Sequence, residues 1–573
     1  MIMNTSNALK STLVCLMAAC ISFSATGQAK KSQQKPASPA QKTNTSTAKT
    51  KTGAKQATQT GADQTQNDMV PGSAKIVTNS NVGRLPGNYA IKVKMKGFKN
   101  VNLFLADNFG DKQYFRDTCT LDANGVGVFT GSPMLQRGMY MIVFPQLDGY
   151  YELPITDDQE FYFEADTSMD ETRIVITGSK ENEAFVAYQK ARAIYGRKRY
   201  ELEKQMKDPG IDEAKKKEIR QNIDSLNASD IRFREKYMSD NPKHFLTKLF
   251  NAFQTVKIPE NLDTMQQYQY FKLHYWDNID FTESGLVRAP QGLLTNRIND
   301  YIDKVVFQDP DSLVWAVDYM ISKTVPYTET QKYFVQYLTN KFQDRKIMCH
   351  DNVTIHLINK YYCQNQAWWY DDTAGQRKMC EEAHKAIPTM CGKIAPDLNM
   401  ADTAGVFHRL YENMGKFTII FFYDPTCGHC KEVIPVVNAV YQKHKNNGLR
   451  VYAISTENKY NEWREMMRKR PELQEWVNVC RIDRHYPWPY NRQDYNIVAN
   501  PTIFIVDENG KILGKKIDEH QLEFFLESLM FEKGLIKTRP TPPKEKAAEA
   551  PKEQSEPAPD DHKDHNHKPG TAH

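Results

Sequence analysis

The chain is short of long apolar runs. Past residue 30 there is no stretch of about 20 apolar residues, so no membrane-spanning helix is expected beyond the first thirty. Net charge is also small: 75 Lys and Arg stand against 70 Asp and Glu, a surplus of +5. That surplus collects in the termini, above all in the Lys-rich stretch after Ala29, which argues against a nucleic-acid face on a folded domain. Cysteine is sparse, 10 in 573 residues. A zinc site built on Cys427 and Cys430 would need a second ligand pair at matching spacing; none follows, and Cys480 stands alone, so no metal is expected. Large apolar residues are almost missing from residues 30–75, which are rich in Lys, Gln, Thr, Ser and Ala. Such a segment cannot bury a core and reads as a disordered tether; its functional alternative is a basic arm touching anionic lipid or wall polymer. Elsewhere the chain is 40% hydrophobic, enough for real cores, and its length suits three or four domains.

What is present converges on residues 417–437. Phe417 to Tyr423 is a short aromatic and β-branched run and reads as a buried strand. Asp424-Pro425-Thr426 breaks it, Cys427-Gly428-His429-Cys430 follows, and Val433, Val436, Val437, Val440 and Tyr441 then recur at helical spacing. A Cys-x-x-Cys between a buried strand and a helix start is the context of a redox dithiol. A helix start offers free N–H groups and the positive end of the dipole, which stabilise a thiolate at Cys427. Cys430, one turn on and on the same face, can resolve a mixed disulfide. His429 adds partial positive charge near neutral pH, which improves Cys427 as a leaving group and makes the disulfide more oxidising. A structural disulfide closing this two-residue loop would restrict little chain entropy.

This stretch resembles the thioredoxin superfamily, and its Cys-Gly-His-Cys resembles that of protein disulfide isomerases. Pro435 stands where thioredoxins carry a helix-kinking proline. The run from Val498 to Val506 resembles the cis-proline strand, and Asp507-Glu508-Asn509-Gly510-Lys511 its hairpin turn. Upstream, Ile394-Ala395-Pro396-Asp397-Leu398 resembles the lead-in of envelope thioredoxins of the TlpA/ResA kind. The resemblance implies catalytic roles for Cys427 and Cys430 and a client groove that includes His429, Asn500 and Pro501. Pro501 would be cis, lie across from Cys427 and keep metal off the thiols; the Asn500 backbone would pair with a client strand. It also implies disulfide-containing envelope proteins as clients, a redox partner that supplies or accepts electrons, and no organic cofactor. There are departures from the pattern. Thr426 replaces the usual Trp, Phe421 takes the place of a buried Asp, and Val433 that of a Glu. Both carboxylates are thus absent, and the base for Cys430 is left unassigned; Glu432 is adjacent but expected to face away. A thiol peroxidase would carry its proline and threonine spaced out ahead of the cysteine, and Pro425-Thr426-Cys427 is too compact. A binding or scaffold protein with a mainly structural thioredoxin-like domain is the other alternative.

Around this stretch the chain divides by composition. Residues 1–29 have the parts of an export signal: Lys10, an apolar run from Leu13 to Phe23, and small residues from Ala25 to Ala29. The alternative is lipoprotein processing at Cys20, which would give a lipid anchor. Either way the mature chain is expected in the periplasm or cell envelope, among secreted disulfides. Residues 76–180 carry short alternating runs separated by turn residues, including Asn124-Gly125, and read as a β-sandwich with Cys119 between strands. The segment from Ile176 to Phe185 resembles the end of a β-domain of unknown function that precedes envelope thioredoxins. Residues 181–387 read as helical, with Pro209-Gly210 breaking a charged hairpin and a resemblance to a second uncharacterised domain. There Cys349-His350-Asp351 reads as a helix start capped by Asp351 rather than as a nucleophile triad. Trp368-Trp369-Tyr370 reads as a packing cluster or a sugar or peptide platform. Cys363, Cys380 and Cys391 could include a disulfide of unassigned pairing. Residues 388–536 form the thioredoxin-like domain, in which His485 to Tyr495 could line the client face. Residues 537–573 form a solvated Pro/Lys/Glu-rich tail whose His562, His565 and His567 have no fixed geometry. The expected architecture is an N-terminal β-sandwich, a central all-α domain and a C-terminal α/β thioredoxin fold.

Overall fold

The computed structural model describes residues 87–542 apart from 147–148, 346, 457–458 and 481–493. The readings of the signal, Cys20, the tether, residues 485–493 and the histidine-bearing tail lie outside the described residues. The chain forms two compact units, Met1–Leu338 and Thr339–His573.

In the first unit, strands β1 (Tyr89–Lys96), β2 (Asn102–Phe109), β3 (Lys112–Thr120), β4 (Val126–Gly131), β5 (Gly138–Val143), β6 (Tyr150–Ile155), β7 (Glu160–Asp166) and β8 (Val175–Thr177) make two four-stranded sheets. Their orders are β4-β1-β7-β8 and β3-β2-β5-β6. Alternation decides the layering. Ile91 and Val93 of one sheet and Leu103, Leu105 and Ile142 of the other are fully buried in one shared core, so the sheets pack face to face as a sandwich. Cys119 corrects the sequence reading. It lies inside β3, not between strands, and is buried. The exposed positions of β3 carry Lys112, Gln113, Arg116, Thr118 and Thr120, so the strand has too little apolar alternation to announce itself.

Helices follow in the same unit: α1 (Lys180–Met206), α2 (Glu213–Asp240), α3 (Phe245–Ala252), α4 (Thr264–His274), α5 (Leu293–Asp300), α6 (Pro310–Lys323) and α7 (Glu329–Gln343), the last running on into the second unit. Asp212 caps α2 through the backbone N–H of Lys215, as the break at Pro209-Gly210 anticipates. Arg288 fastens this helical part to the sandwich: it donates to Asp107 at 2.7 Å and to Glu329 at 2.7 Å, with Arg288 and Asp107 both buried.

The second unit opens with α8 (Asp351–Leu357) and α9 (Thr373–Ala386). Two disulfides settle the pairing left open by the sequence: Cys363–Cys380 and Cys349–Cys391. Cys349 is therefore no free nucleophile. The helix start expected there is present, but His350 is the cap residue, and Asp351 is the first helical residue, with its carboxylate 2.7 Å from Lys515 Nζ. Trp369 is buried and meets Tyr362 edge-on, so this part of the aromatic cluster packs inward.

The rest is a seven-stranded sheet built from β9 (Asn399–Ala401), β10 (Phe407–Arg409), β11 (Phe417–Tyr423), β12 (Leu449–Ser455), β13 (Val477–Cys480), β14 (Thr502–Asp507) and β15 (Ile512–Lys515), in the order β10-β9-β13-β12-β11-β14-β15. The helices are α10 (Gly428–His444), α11 (Tyr460–Lys469) and α12 (Glu519–Glu532). Strand β11 runs parallel to β12 and antiparallel to β14. Every residue of β11 is buried. Phe417, Ile419, Phe421 and Tyr423 enter one core together with α10 and α12, while Ile420 and Phe422 enter a second core on the opposite face. A strand covered on both faces needs a continuous apolar run, which is why residues 417–423 do not alternate.

Candidate active site

The redox motif sits where β11 hands the chain to α10. Strand hydrogen bonding stops at Tyr423, and Asp424-Pro425-Thr426 turns the chain. The turn is held by Asp424 itself: its Oδ1 accepts from the Thr426 backbone N–H at 2.7 Å and from the Thr426 hydroxyl at 2.9 Å. Lys459, just before α11, donates to Asp424 Oδ2 at 2.9 Å and to Thr426 Oγ1 at 2.5 Å. Burial works to raise the Asp424 carboxyl, but the hydrogen bonds from Thr426 and Lys459 outweigh it and hold the group below its ordinary range.

Cys427 is the cap residue of α10, with extended backbone (φ −67°, ψ 128°), and Cys430 lies in the first turn. Their environments differ. Cys427 is half-buried; Cys430 is 0% exposed. The Asp424 backbone N–H donates to Cys430 Sγ at 3.5 Å. Burial, reinforced by the hydrogen bond with Cys427, pushes the Cys430 thiol up to about 12. Cys430 therefore stays protonated at neutral pH and out of reach of solvent. In reduced native protein, iodoacetamide at pH 7–8 is expected to label Cys427 and to spare Cys430 until the fold is unfolded. Mass spectrometry of the labelled peptide checks this, and equal labelling of both in native protein would contradict the burial.

His429 is exposed on the first turn of α10, with Nε2 3.0 Å from Glu519 Oε1 at the start of α12. The Glu519 hydrogen bond raises the imidazole above its ordinary value, and the same contact lowers the Glu519 carboxyl. His429, Val498, Pro501, Ile503, Lys516 and Glu519 line one cleft of about 310 Å³. The Asn500–Pro501 bond is cis, as the resemblance implies. The Asn500 side chain turns to Thr456, donating from Nδ2 to Oγ1 at 2.6 Å. Thr456 in turn donates its backbone N–H to the Tyr423 carbonyl at 2.9 Å. The loop before Pro501 is thus tied to the end of β11, and the structure gathers His429 and Pro501 around one cleft, whose lining does not include Asn500, Cys427 or Cys430. Phe421 and Val433, where the family pattern has carboxylates, are buried and apolar, and Glu432 is exposed. The sequence reading did not find Lys459 or Glu519, which lie 33 and 90 residues from the groups they touch. It read Asp424-Pro425-Thr426 as the break after the strand but gave Asp424 no hydrogen-bonding role, although an Asp two residues before a Thr is a local turn signal.

Comparison with known proteins agrees with this geometry. Residues 391–514 match the AhpC/TSA family, and residues 202–386 match a domain of unknown function (DUF5106). The thiol-disulfide oxidoreductase ResA of Geobacillus thermodenitrificans is 30% identical over 131 residues, spanning 22% of this chain and 67% of that protein. The chain belongs to the ResA-like thiol-disulfide oxidoreductases. ResA of Geobacillus kaustophilus is 27% identical over 146 residues, covering 24% of this chain and 77% of that protein. Among solved structures, a domain of a possible thiol-disulfide isomerase from Cytophaga hutchinsonii is 35% identical, with 26% of this chain and 97% of that chain covered and a TM-score of 0.23. A thioredoxin-like protein from Bacteroides caccae covers 48% of this chain and 97% of its own at 17% identity and a TM-score of 0.36. The stretches matching the ResA proteins cover about a quarter of this chain. No helix among the described residues is long and apolar enough to cross a membrane.

Proposed function

We propose that this chain is an exported thiol–disulfide oxidoreductase that exchanges disulfides with envelope proteins through Cys427 and Cys430. The observation that carries the reading is the asymmetry of the dithiol: a half-buried Cys427 capping a helix and a fully buried Cys430 one turn on. In the reducing direction the Cys427 thiolate attacks one sulfur of a client disulfide. A mixed disulfide forms and the other client sulfur leaves as a thiolate. Cys430 then gives up its proton and attacks Cys427 Sγ, which releases the second client thiol and leaves Cys427 and Cys430 joined. Two electrons have passed to the client, and a dithiol donor returns them to the enzyme. His429, the Asn500 backbone and Pro501 form the client groove. The leader of residues 1–29 exports the chain, with cleavage near Ala29 or lipid attachment at Cys20. Residues 76–180 and 181–387 serve as scaffold or client-recognition modules beside the redox domain, 388–536.

The test is a trap. With dithiothreitol as donor, the wild-type protein should reduce insulin, and Cys430→Ser should accumulate a mixed disulfide on Cys427 with an envelope client. Absence of both turnover and trapped client would sink the reading. The match to the AhpC/TSA family favours one second reading, peroxide reduction, and peroxide consumption that depends on Cys427 would establish it. The measured reduction potential assigns the direction: near about −180 mV the pair works as an isomerase, and near about −270 mV as a thioredoxin-like reductant.

A further inference from the structure

The contact between His429 and Glu519 joins the turn that carries the dithiol to the helix that closes the domain, across 90 residues of sequence. Both side chains line the cleft beside Pro501. The imidazole is 53% exposed and the carboxylate 19%. The carboxylate is thus the more enclosed partner, in the first turn of α12 next to the cap residue Asp518. The other charged or titratable groups around His429 are Asp518 from the start of α12, Glu432 from α10 and Lys516 on the cleft wall, and His520 faces the Glu519 carboxylate; Cys427 and Cys430 flank His429 along the chain at the start of α10. Of these, Glu519 alone forms a hydrogen bond to the ring among the described residues.

We propose that Glu519 is a positioning residue for the redox centre: it holds the His429 imidazole on the turn that carries the dithiol and sets the pH at which the potential of the Cys427–Cys430 pair changes slope. This rests on the oxidoreductase reading above. Reduction of the disulfide by two electrons yields two sulfurs that take up protons or remain partly thiolate. Proton uptake makes the potential fall with pH in any case; a cation on the same turn favours the thiolate, and its loss on deprotonation changes the slope of that fall. Where that change falls is governed by the ring's partner. The Glu519 hydrogen bond raises the imidazole's ordinary value, so the change falls later with the carboxylate than without it. The pair acts on the ring, and the ring on the thiols; Glu519 itself need touch no client.

The experiment measures the reduction potential of the full chain against glutathione from pH 5.5 to 9, for wild type, E519Q, H429N and the double variant. Wild type should show a break where the imidazole loses its proton. E519Q should move that break to lower pH, H429N should remove it, and the double variant should follow H429N. A structural role for Glu519 at the helix start would lower the unfolding temperature without moving the break. In parallel, NMR of histidine-labelled protein follows the ring directly, with the His429 resonance assigned by its loss in H429N. An E519Q titration that superimposes on wild type, a wild-type profile without a break, or an E519Q shift that persists in the H429N background would each overturn the proposal. The ring titration needs no exchange chemistry. A protein that fails to exchange disulfides at all would refute the oxidoreductase reading while the resonance still decides whether Glu519 controls His429.

Discussion

Cys427→Ser is expected to bring disulfide exchange down to the uncatalysed rate, whereas Cys430→Ser should stop turnover and keep the first half-reaction. The difference follows from burial. Cys427 is the half-buried member of the pair and caps the helix, so its sulfur is the one a client disulfide can approach in line. A serine hydroxyl at that position has no comparable nucleophilicity without an adjacent base. Cys430 is fully buried and its thiol is pushed up to about 12, so it can act only after the mixed disulfide has brought the leaving sulfur to it. Stopped-flow mixing with a fluorescent disulfide peptide separates the two cases. Cys430→Ser should show a single burst of one equivalent, and Cys427→Ser no burst. A burst of equal size in Cys427→Ser would show that the buried sulfur attacks first.

The largest effect on stability is expected from Phe421→Ala, at about 3–5 kcal/mol. Phe421 lies in the middle of β11, fully buried, with its ring stacked on Tyr423 at 5.3 Å and edge-on to Trp476 at 6.4 Å. Strands on both sides and helices above hold their places, so a cavity there would collapse only in part. Chemical denaturation followed by tryptophan fluorescence should show the transition of the second unit moving to lower denaturant with its slope preserved. A loss below about 1 kcal/mol would mean that the site refills, as a position on the rim would. The residue also bears on chemistry. An apolar ring stands where the family pattern has a buried acid, so Cys430 must lose its proton without a carboxylate at that place. Glu432, two residues on, is exposed, and Asp424, whose backbone N–H meets the Cys430 sulfur, is held charged by Thr426 and Lys459, which makes it a poor proton acceptor.

The dithiol and its supports were legible because their signals are local. A continuous apolar run, a break, two cysteines three apart and a helical repeat all fall within 21 residues, and each has one physical reading. The cis-proline strand and the hairpin turn were legible for the same reason. Strand β3 was not, because its outward face is charged and its apolar alternation is weak. The pairing of four cysteines was not, because pairing depends on which chain segments meet; Cys349 lies 42 residues from Cys391. Nor were the polar contacts of the site. Asn500 to Thr456, Lys459 to Asp424 and Glu519 to His429 join residues 35 to 90 positions apart.

By itself, then, the sequence determined the fold class and the place of the Cys-x-x-Cys between a buried strand and a helix start, because hydrophobic periodicity and helix starts are properties of neighbouring residues. Only the tertiary structure decided which charges surround those sulfurs. A carboxylate's effect on a thiol or an imidazole falls off with distance through space, and distance through space is set by how β11, α10 and α12 pack together, not by their separation along the chain.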